Sequence, residues 1–279
     1  MRNLSGHPEL LSINHATVRM QCNLQQLVDG CARRGIGAIA TWRDKIAEHG
    51  LAQAVRLLRD ASLRVTGHCR AGLFPAADAA GRRAALEENC RALDEAAALG
   101  AESLCVIGGG LPRGSRDLAD AHAQVRDGLA AMLEHARKLG VQIGLEPLHP
   151  MYAADRACVN TLRHANDLCD ELGEGIGVLV DVYHLWWDPT LAQEIARAGR
   201  AKRILGFHVC DWLVPTKDLL LDRGMMGDGV IDIPKIRGWV EAAGYGGCVE
   251  VEIFSAENWW KRDAGEVLDI CKERYARVC

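Results

Sequence analysis

The fold this sequence predicts is α/β: a single (β/α)8 TIM barrel in which eight strand-helix units close on themselves. Three observations lead there. Eight apolar runs of strand length alternate with stretches whose apolar residues recur every three or four positions, the mark of strands feeding helices in a parallel sheet. Several of the helical stretches stop on a glycine, which accepts the left-handed conformation just past a helix end. Four of the apolar runs finish on an ionisable side chain, and the C-terminal ends of barrel strands are where active sites form.

Taken in order, the strand candidates are 10–18 (LLSINHATV), 36–42 (IGAIATW), 64–69 (RVTGHC) and 101–109 (AESLCVIGG). The second four are 141–147 (VQIGLEP), 176–184 (IGVLVDVYH), 204–212 (ILGFHVCDW) and 247–254 (GCVEVEIF). Helical periodicity fills the intervals, most plainly at 23–35, 81–100 and 115–140. The stops are RRG at 33–35, ALG at 98–100, KLG at 138–140, ELG at 171–173 and AAG at 242–244. No linker, low-complexity tract or charge block interrupts the pattern, so one domain over 1–279 is expected.

Composition narrows the function. A chain of 279 residues that is 49% hydrophobic fills one barrel. A net charge of −4 and a pI near 6.2 argue against a nucleic-acid surface. No run of 18 apolar residues is present, and residues 1–18 lack the apolar core of a secretory signal, so no membrane partner and a cytoplasmic location are expected. Eleven cysteines without a CxxC read as reduced thiols that act as small hydrophobes.

The ionisable strand ends are Glu146 in GLEPLHP, Asp181 in VLVDVYH, His208 in GFHVCDW and Glu252 in VEVEIFS. Each alone has a plainer reading: Asp181 as a helix cap before VYHLWWDP, His208 as a hydrogen-bonded core histidine, either glutamate as a rim residue. Together they make an oxygen-rich ligand set for one divalent ion. Mn²⁺ is the first choice, with Mg²⁺, Co²⁺ or Zn²⁺ as alternatives. Neighbouring strands lie about 4.8 Å apart, so four adjacent ends can converge. Glu250 shares the phase of Glu252 one layer deeper in the barrel. His68, closing the third run, is expected at the mouth as a substrate contact, with a core or rim place equally open. His149 is a candidate partner behind the ligands. Trp42, Trp186, Trp212 and Trp259 lie near strand ends, as ring-stacking or packing residues.

The segments LEP at 145–147, DVYH at 181–184, FHVCD at 207–211, GDG at 227–229 and EVEIF at 250–254 resemble the xylose-isomerase-like barrel superfamily. That superfamily includes ketose 3-epimerases, inosose-processing enzymes and hydroxypyruvate isomerases, and the resemblance covers essentially the whole chain. It implies metal ligands at Glu146, Asp181, His208 and Glu252, and substrate contacts at His184 and Arg223. The loop 215–229 is longer and more apolar than a simple sugar-binding loop requires, and the WW pairs at 186–187 and 259–260 also depart from the simplest pattern. Zinc apurinic-site endonucleases share the barrel but carry a DxH ligand pair, which does not follow HVCDW here.

The expected chemistry is isomerisation or epimerisation of a keto sugar or sugar derivative. A proton is abstracted beside a metal-polarised carbonyl through an enediolate, with Glu146 and Glu252 removing and returning it. The same ligands would serve a lyase, dehydratase or decarboxylase, on a keto sugar acid, inosose or oxidised glycoside. A non-catalytic ligand-binding subunit is the third reading. The partner is a small carbohydrate, and the apolar segment 213–226 is a candidate lid or contact in a homo-oligomer.

Overall fold

In the computed structural model, which describes residues 1–279, ten strands and ten helices follow one another along the chain. Eight strands build the barrel: β1 (Leu11–Asn14), β2 (Ala38–Trp42), β3 (Arg64–Gly72), β4 (Ser103–Ile107), β5 (Gln142–Leu145), β6 (Ile176–Asp181), β7 (Ile204–Val209) and β10 (Val249–Val251). All pair in parallel, and the ring closes through β1 against β10. Two short strands, β8 (Asp211–Trp212) and β9 (Arg223–Gly224), form an antiparallel pair in the loop after β7.

The helices are α1 (Leu24–Ala32), α2 (Arg43–His49), α3 (Leu51–Asp60), α4 (Ala79–Leu99) and α5 (Leu118–Leu139). They continue as α6 (Leu162–Leu172), α7 (Val182–Leu185), α8 (Leu191–Arg200), α9 (Ile233–Ala242) and α10 (Ala264–Arg277). Local chemistry sets their ends. Asp78, Asp117, Thr161 and Asp263 each accept a backbone N–H of the first turn. Gly100 and Gly140 close the two longest helices at φ +65° and +70°. No helix is long and apolar enough to cross a membrane.

Alternate residues of each strand pack outward on the helices, as Leu11, Ile13, Val249 and Val251 do in one continuous core. The inward positions are more polar than a barrel core requires. Thr66 and Asn14 donate to the two oxygens of Glu250 at 2.7 and 2.8 Å, and Ser12 touches Thr66 at 2.8 Å. This buried carboxylate with its donors forms the floor beneath the barrel mouth.

Three predicted runs differ from the elements observed. The run 176–184 stops at Asp181, where α7 begins, and 204–212 breaks after Val209. The run 10–18 turns into a 3₁₀ turn at His15. More consequential is a bulge in β3: Val65 lies opposite Ile39 but Gly67 lies opposite Ala40, so Thr66 is an extra residue. The inward and outward phase reverses there. Thr66 and Cys69 face the barrel interior, and His68, expected at the mouth, faces the helical layer instead. It is fully buried, its Nδ1 2.8 Å from the Thr41 hydroxyl and its Nε2 3.2 Å from Glu95 of α4.

His68 is therefore a structural residue in this fold. His68→Ala is expected to destabilise the protein by about 1–3 kcal/mol in urea unfolding, because Thr41 and Glu95 lose a buried partner. It should leave the divalent-ion content of the purified protein unchanged; a variant that lost the ion would return His68 to the mouth.

Candidate metal centre

Glu146 and Glu252 sit one residue past β5 and β10, where the ladder still holds the backbone. The Glu146 N–H donates to Val106 O at 2.9 Å, and that of Glu252 to Val209 O at 3.1 Å. Asp181 is the last residue of β6 and also the N-cap of α7, its Oδ1 accepting the Tyr183 N–H at 2.7 Å. The helix-cap role is real and uses one oxygen only. The other, Oδ2, is buried and accepts no hydrogen bond. His208 lies beside Asp181 on one strand and Glu250 on the other.

One ligand atom from each of Glu146, Asp181, His208 and Glu252 lies within 4.8 Å of all the others, and all four residues are buried. His208 Nδ1 is 3.0 Å from Glu146 Oε1 and 3.9 Å from Glu252 Oε2. Its Nε2 faces Glu250 Oε1 at 3.6 Å. A proton kept on Nε2 toward Glu250 leaves the Nδ1 lone pair for an ion, the usual carboxylate-backed arrangement of a ligating histidine.

Charge in this cluster is under strain. Burial, then repulsion from Glu146, pushes the Glu252 carboxyl up to about 8, against the opposing pull of Arg223. Burial likewise raises Asp181 to about 6, again opposed by Arg223. Burial alone would lower His208, but the carboxylates of Glu250 and Glu146 hold it well above its ordinary value. An orphaned carboxylate oxygen, two carboxyls that resist ionisation and a charged imidazole between them fit a site whose natural occupant is a cation. The three carboxylates and one imidazole suit a hard or borderline divalent ion.

Arg223, on β9, is buried beside this set. Its Nη1 is 3.5 Å from Asp181 Oδ2 and 3.6 Å from Glu252 Oε2, and its guanidinium lies over the Tyr183 ring at 4.3 Å. The loop that carries it is organised by Asp211, whose carboxylate accepts the N–H groups of Gly227 and Ile231 at 2.9 and 3.0 Å. At Gly229 a Cβ would run into the Trp212 carbonyl, which accounts for the second glycine of GDG.

His184 is also buried beside the ligands, its Nε2 3.7 Å from Asp181 Oδ2. Burial and then the Arg223 charge keep it well below its ordinary value, so it is neutral near pH 7. The His149 N–H donates to its Nδ1 at 3.2 Å. That contact places the ring proton on Nε2, toward the site. His149 thus acts on the site through its backbone, while its own ring stacks on Trp212 at 4.8 Å.

A cavity of about 350 Å³ opens against Glu146 and Glu252 of this cluster, a size suited to a small molecule. Glu146, Glu252, His184 and Arg223 line it, with Trp42, Phe254 and Trp260 as walls. Of the tryptophans singled out in the sequence, only Trp42 reaches it; Trp260, not Trp259, is the second. The segment 213–226 forms one side, with Leu220 and Leu221 facing in and the Leu219 carbonyl accepting from the hydroxyls of Tyr152 and Tyr183. Arg70 and Arg156 also line the cavity and were not anticipated. Their only trace in the sequence is a basic residue at or after a strand end.

The profile of the xylose isomerase-like TIM barrel family matches residues 28–273, and the chain belongs to that family. A solved structure of a protein from Sinorhizobium meliloti 1021 superposes with a TM-score of 0.97 at 59% identity, over 98% of this chain and 99% of that one. The IolI protein with a bound zinc atom superposes with a TM-score of 0.83 at 20% identity, over 96% of this chain and 97% of the other; at that identity the likeness is one of fold. An inosose isomerase of Halalkalibacterium halodurans is 27% identical over 158 residues, 54% of this chain. The match spans about half, 52%, of that relative's length.

Ion uptake should be tied to proton release. With no ion bound, Glu252 holds its proton below about pH 8, Asp181 below about pH 6, and His208 keeps a second ring proton well above its ordinary range; all three protons must leave for the groups to ligate. Apparent Mn²⁺ affinity is expected to fall as pH drops through 8 and more steeply through 6, by about tenfold per pH unit for each proton displaced. Calorimetry in buffers of different ionisation enthalpy measures the protons; a pH-independent affinity would reject the site.

Proposed function

We propose that this family member is a divalent-metal-dependent isomerase or epimerase acting on a keto sugar or sugar derivative. Glu146, Asp181, His208 and Glu252 hold the ion, and Mn²⁺ is the favoured occupant. Mg²⁺, Co²⁺ and Zn²⁺ are alternatives, zinc being the ion named for the IolI neighbour. The observation that carries the reading is the buried convergence of these four ligand atoms at the floor of a cavity sized for a monosaccharide. The inosose isomerase relative supports the same substrate class.

A divalent ion held by Glu146, Asp181, His208 and Glu252 would supply Lewis acidity and so make the C–H beside a ketose carbonyl more acidic. The chain's own groups do the rest. Glu146 and Glu252 stand on β5 and β10, with β6 and β7 between them, and so approach a bound sugar from separate directions. One removes the proton from carbon and the other returns one. Return to the same carbon on its other face epimerises it; return to the carbonyl carbon, with the neighbouring hydroxyl proton passing to the former carbonyl oxygen, interconverts ketose and aldose.

His184 Nε2–H and the Arg223 guanidinium donate to substrate oxygens and hold the reacting carbon against the carboxylates. Trp42, Phe254 and Trp260 exclude water from the pocket.

Proton abstraction can be read without knowing the product. The Mn²⁺-loaded protein, incubated in D₂O with a panel of ketoses and ketose derivatives, is expected to erase the proton NMR signal of the C–H beside the carbonyl. Chelation should abolish the exchange, and Glu146→Gln or Glu252→Gln should slow it by about 10²-fold or more. Exchange that persists in metal-stripped protein, or none with any member of the panel, would overturn the proposal.

A further inference from the structure

We propose that Arg70 and Arg156 form an anion subsite in the wall of this cavity, so that the keto sugar it takes carries a carboxylate or a phosphate. The inference rests on the ion-centre reading above and specifies its substrate class.

Both guanidinium-bearing residues line the same cavity as Glu146 and Glu252. They arrive from different parts of the chain: Arg70 from the end of β3 beyond the Thr66 bulge, Arg156 from the loop between β5 and α6. Each is half-buried. Neither side chain makes a salt bridge or a hydrogen bond, although Arg156 lies over the Tyr152 ring at 5.7 Å. The two other arginines that line this cavity, Arg19 and Arg223, are paired, and so is Arg43 beside it. Arg19 meets Asp44, Arg43 forks onto Glu95 at 2.7 and 2.9 Å, and Arg223 stands between Asp181 and Glu252.

Arg70 and Arg156 are thus the two arginines of this cavity without a carboxylate partner. Burial works against the charge on Arg70 and the nearby charge of Arg156 adds to that, so the pair repel each other across the opening. Formal charge sharpens the point. A divalent ion with Arg223, Arg70 and Arg156 outweighs Glu146, Asp181, Glu252 and the Glu250 carboxylate beneath them, so the ion-loaded mouth keeps a net positive charge. A planar guanidinium fork matches the paired oxygens of a carboxylate or phosphate. An incoming anion would satisfy both donors and remove their mutual repulsion.

The test uses six-carbon polyols without a carbonyl, so that binding is separated from turnover. Calorimetric titration of the Mn²⁺-loaded protein with D-glucitol, D-gluconate and D-glucitol 6-phosphate compares no anion, carboxylate and phosphate on one framework. At least one anion is expected to bind about tenfold or more tightly than glucitol, and the preferred one identifies the group. The Arg70→Gln/Arg156→Gln double variant should bind that anion no better than glucitol while retaining its ion and its thermal midpoint. Equal affinities for all three ligands, including none measurable for any, would overturn the proposal. So would an anion preference that survives in the double variant.

The proton-exchange experiment is independent of this one. Metal-dependent exchange with neutral ketoses and no anion preference would leave the isomerase reading standing and reject the subsite alone.

Discussion

Three buried carboxylates whose oxygens crowd within 4.8 Å of one another and of an imidazole repel through a medium with little water to screen them, and the barrel mouth is arranged around that repulsion. With no ion bound, the chain relieves it in two ways. Protons stay on Glu252 and Asp181 far above the usual carboxylate range, and His208 holds a positive charge between its neighbours. Arg223 adds its own charge against Asp181 and Glu252. Neither device is complete, because the Asp181 oxygen facing the site still lacks a hydrogen bond. A single dication between the four ligand atoms answers the repulsion directly. Such a cluster costs stability wherever it is kept, and strain of this kind gathers at functional sites.

What keeps the cluster from collapsing is the rigidity beneath and beside it. Glu250 could fold up toward the ion, but Asn14 and Thr66 hold both of its oxygens in the layer below, where it faces the far nitrogen of His208. The Thr66 bulge that provides one of those donors also turns His68 outward to Glu95 and Cys69 inward. One extra residue in β3 therefore serves the floor of the site and the strand-helix packing together. On the other side, Asp211 gathers the amides of the following loop, and that loop delivers Arg223 into the barrel.

Much of this was legible in the sequence because it depends on local chemistry. Strand ends that carry Glu146, Asp181, His208 and Glu252 stand out since apolar runs seldom stop on such groups, and parallel strands put their ends side by side. Glycine stops such as Gly100 and Gly140 mark the helix ends by backbone conformation alone. For His68 the end of the run 64–69 suggests the mouth and leaves a core place equally open; the bulge in β3 decides for the core, and Gly67 beside the extra residue is the available hint of it. Arg70 and Arg156 were missed for a different reason. Whether a loop arginine turns into a cavity or out to water is decided by the loop's path, which leaves no periodic trace. Asp181 shows that competing readings can both be true, since a carboxylate has two oxygens and this one uses them separately.

The placement of protons at His184 shows how far the site is organised in advance. The His149 amide donates to Nδ1, so Nε2 carries hydrogen and points at the Arg223 guanidinium, whose Nη2 is 3.4 Å away. Two donors at that distance cannot satisfy each other. Asp181 Oδ2 is near both, at 3.7 and 3.5 Å, but too far to accept a good hydrogen bond from either, and it is the oxygen an ion would claim. An acceptor from outside the chain would answer both donors. A sugar hydroxyl or carbonyl oxygen lodged between His184 and Arg223 would take both donors at once and would lie beside the ion ligands. The buried donors are already aimed at that point, so the proposed substrate would bind there with little reorganisation.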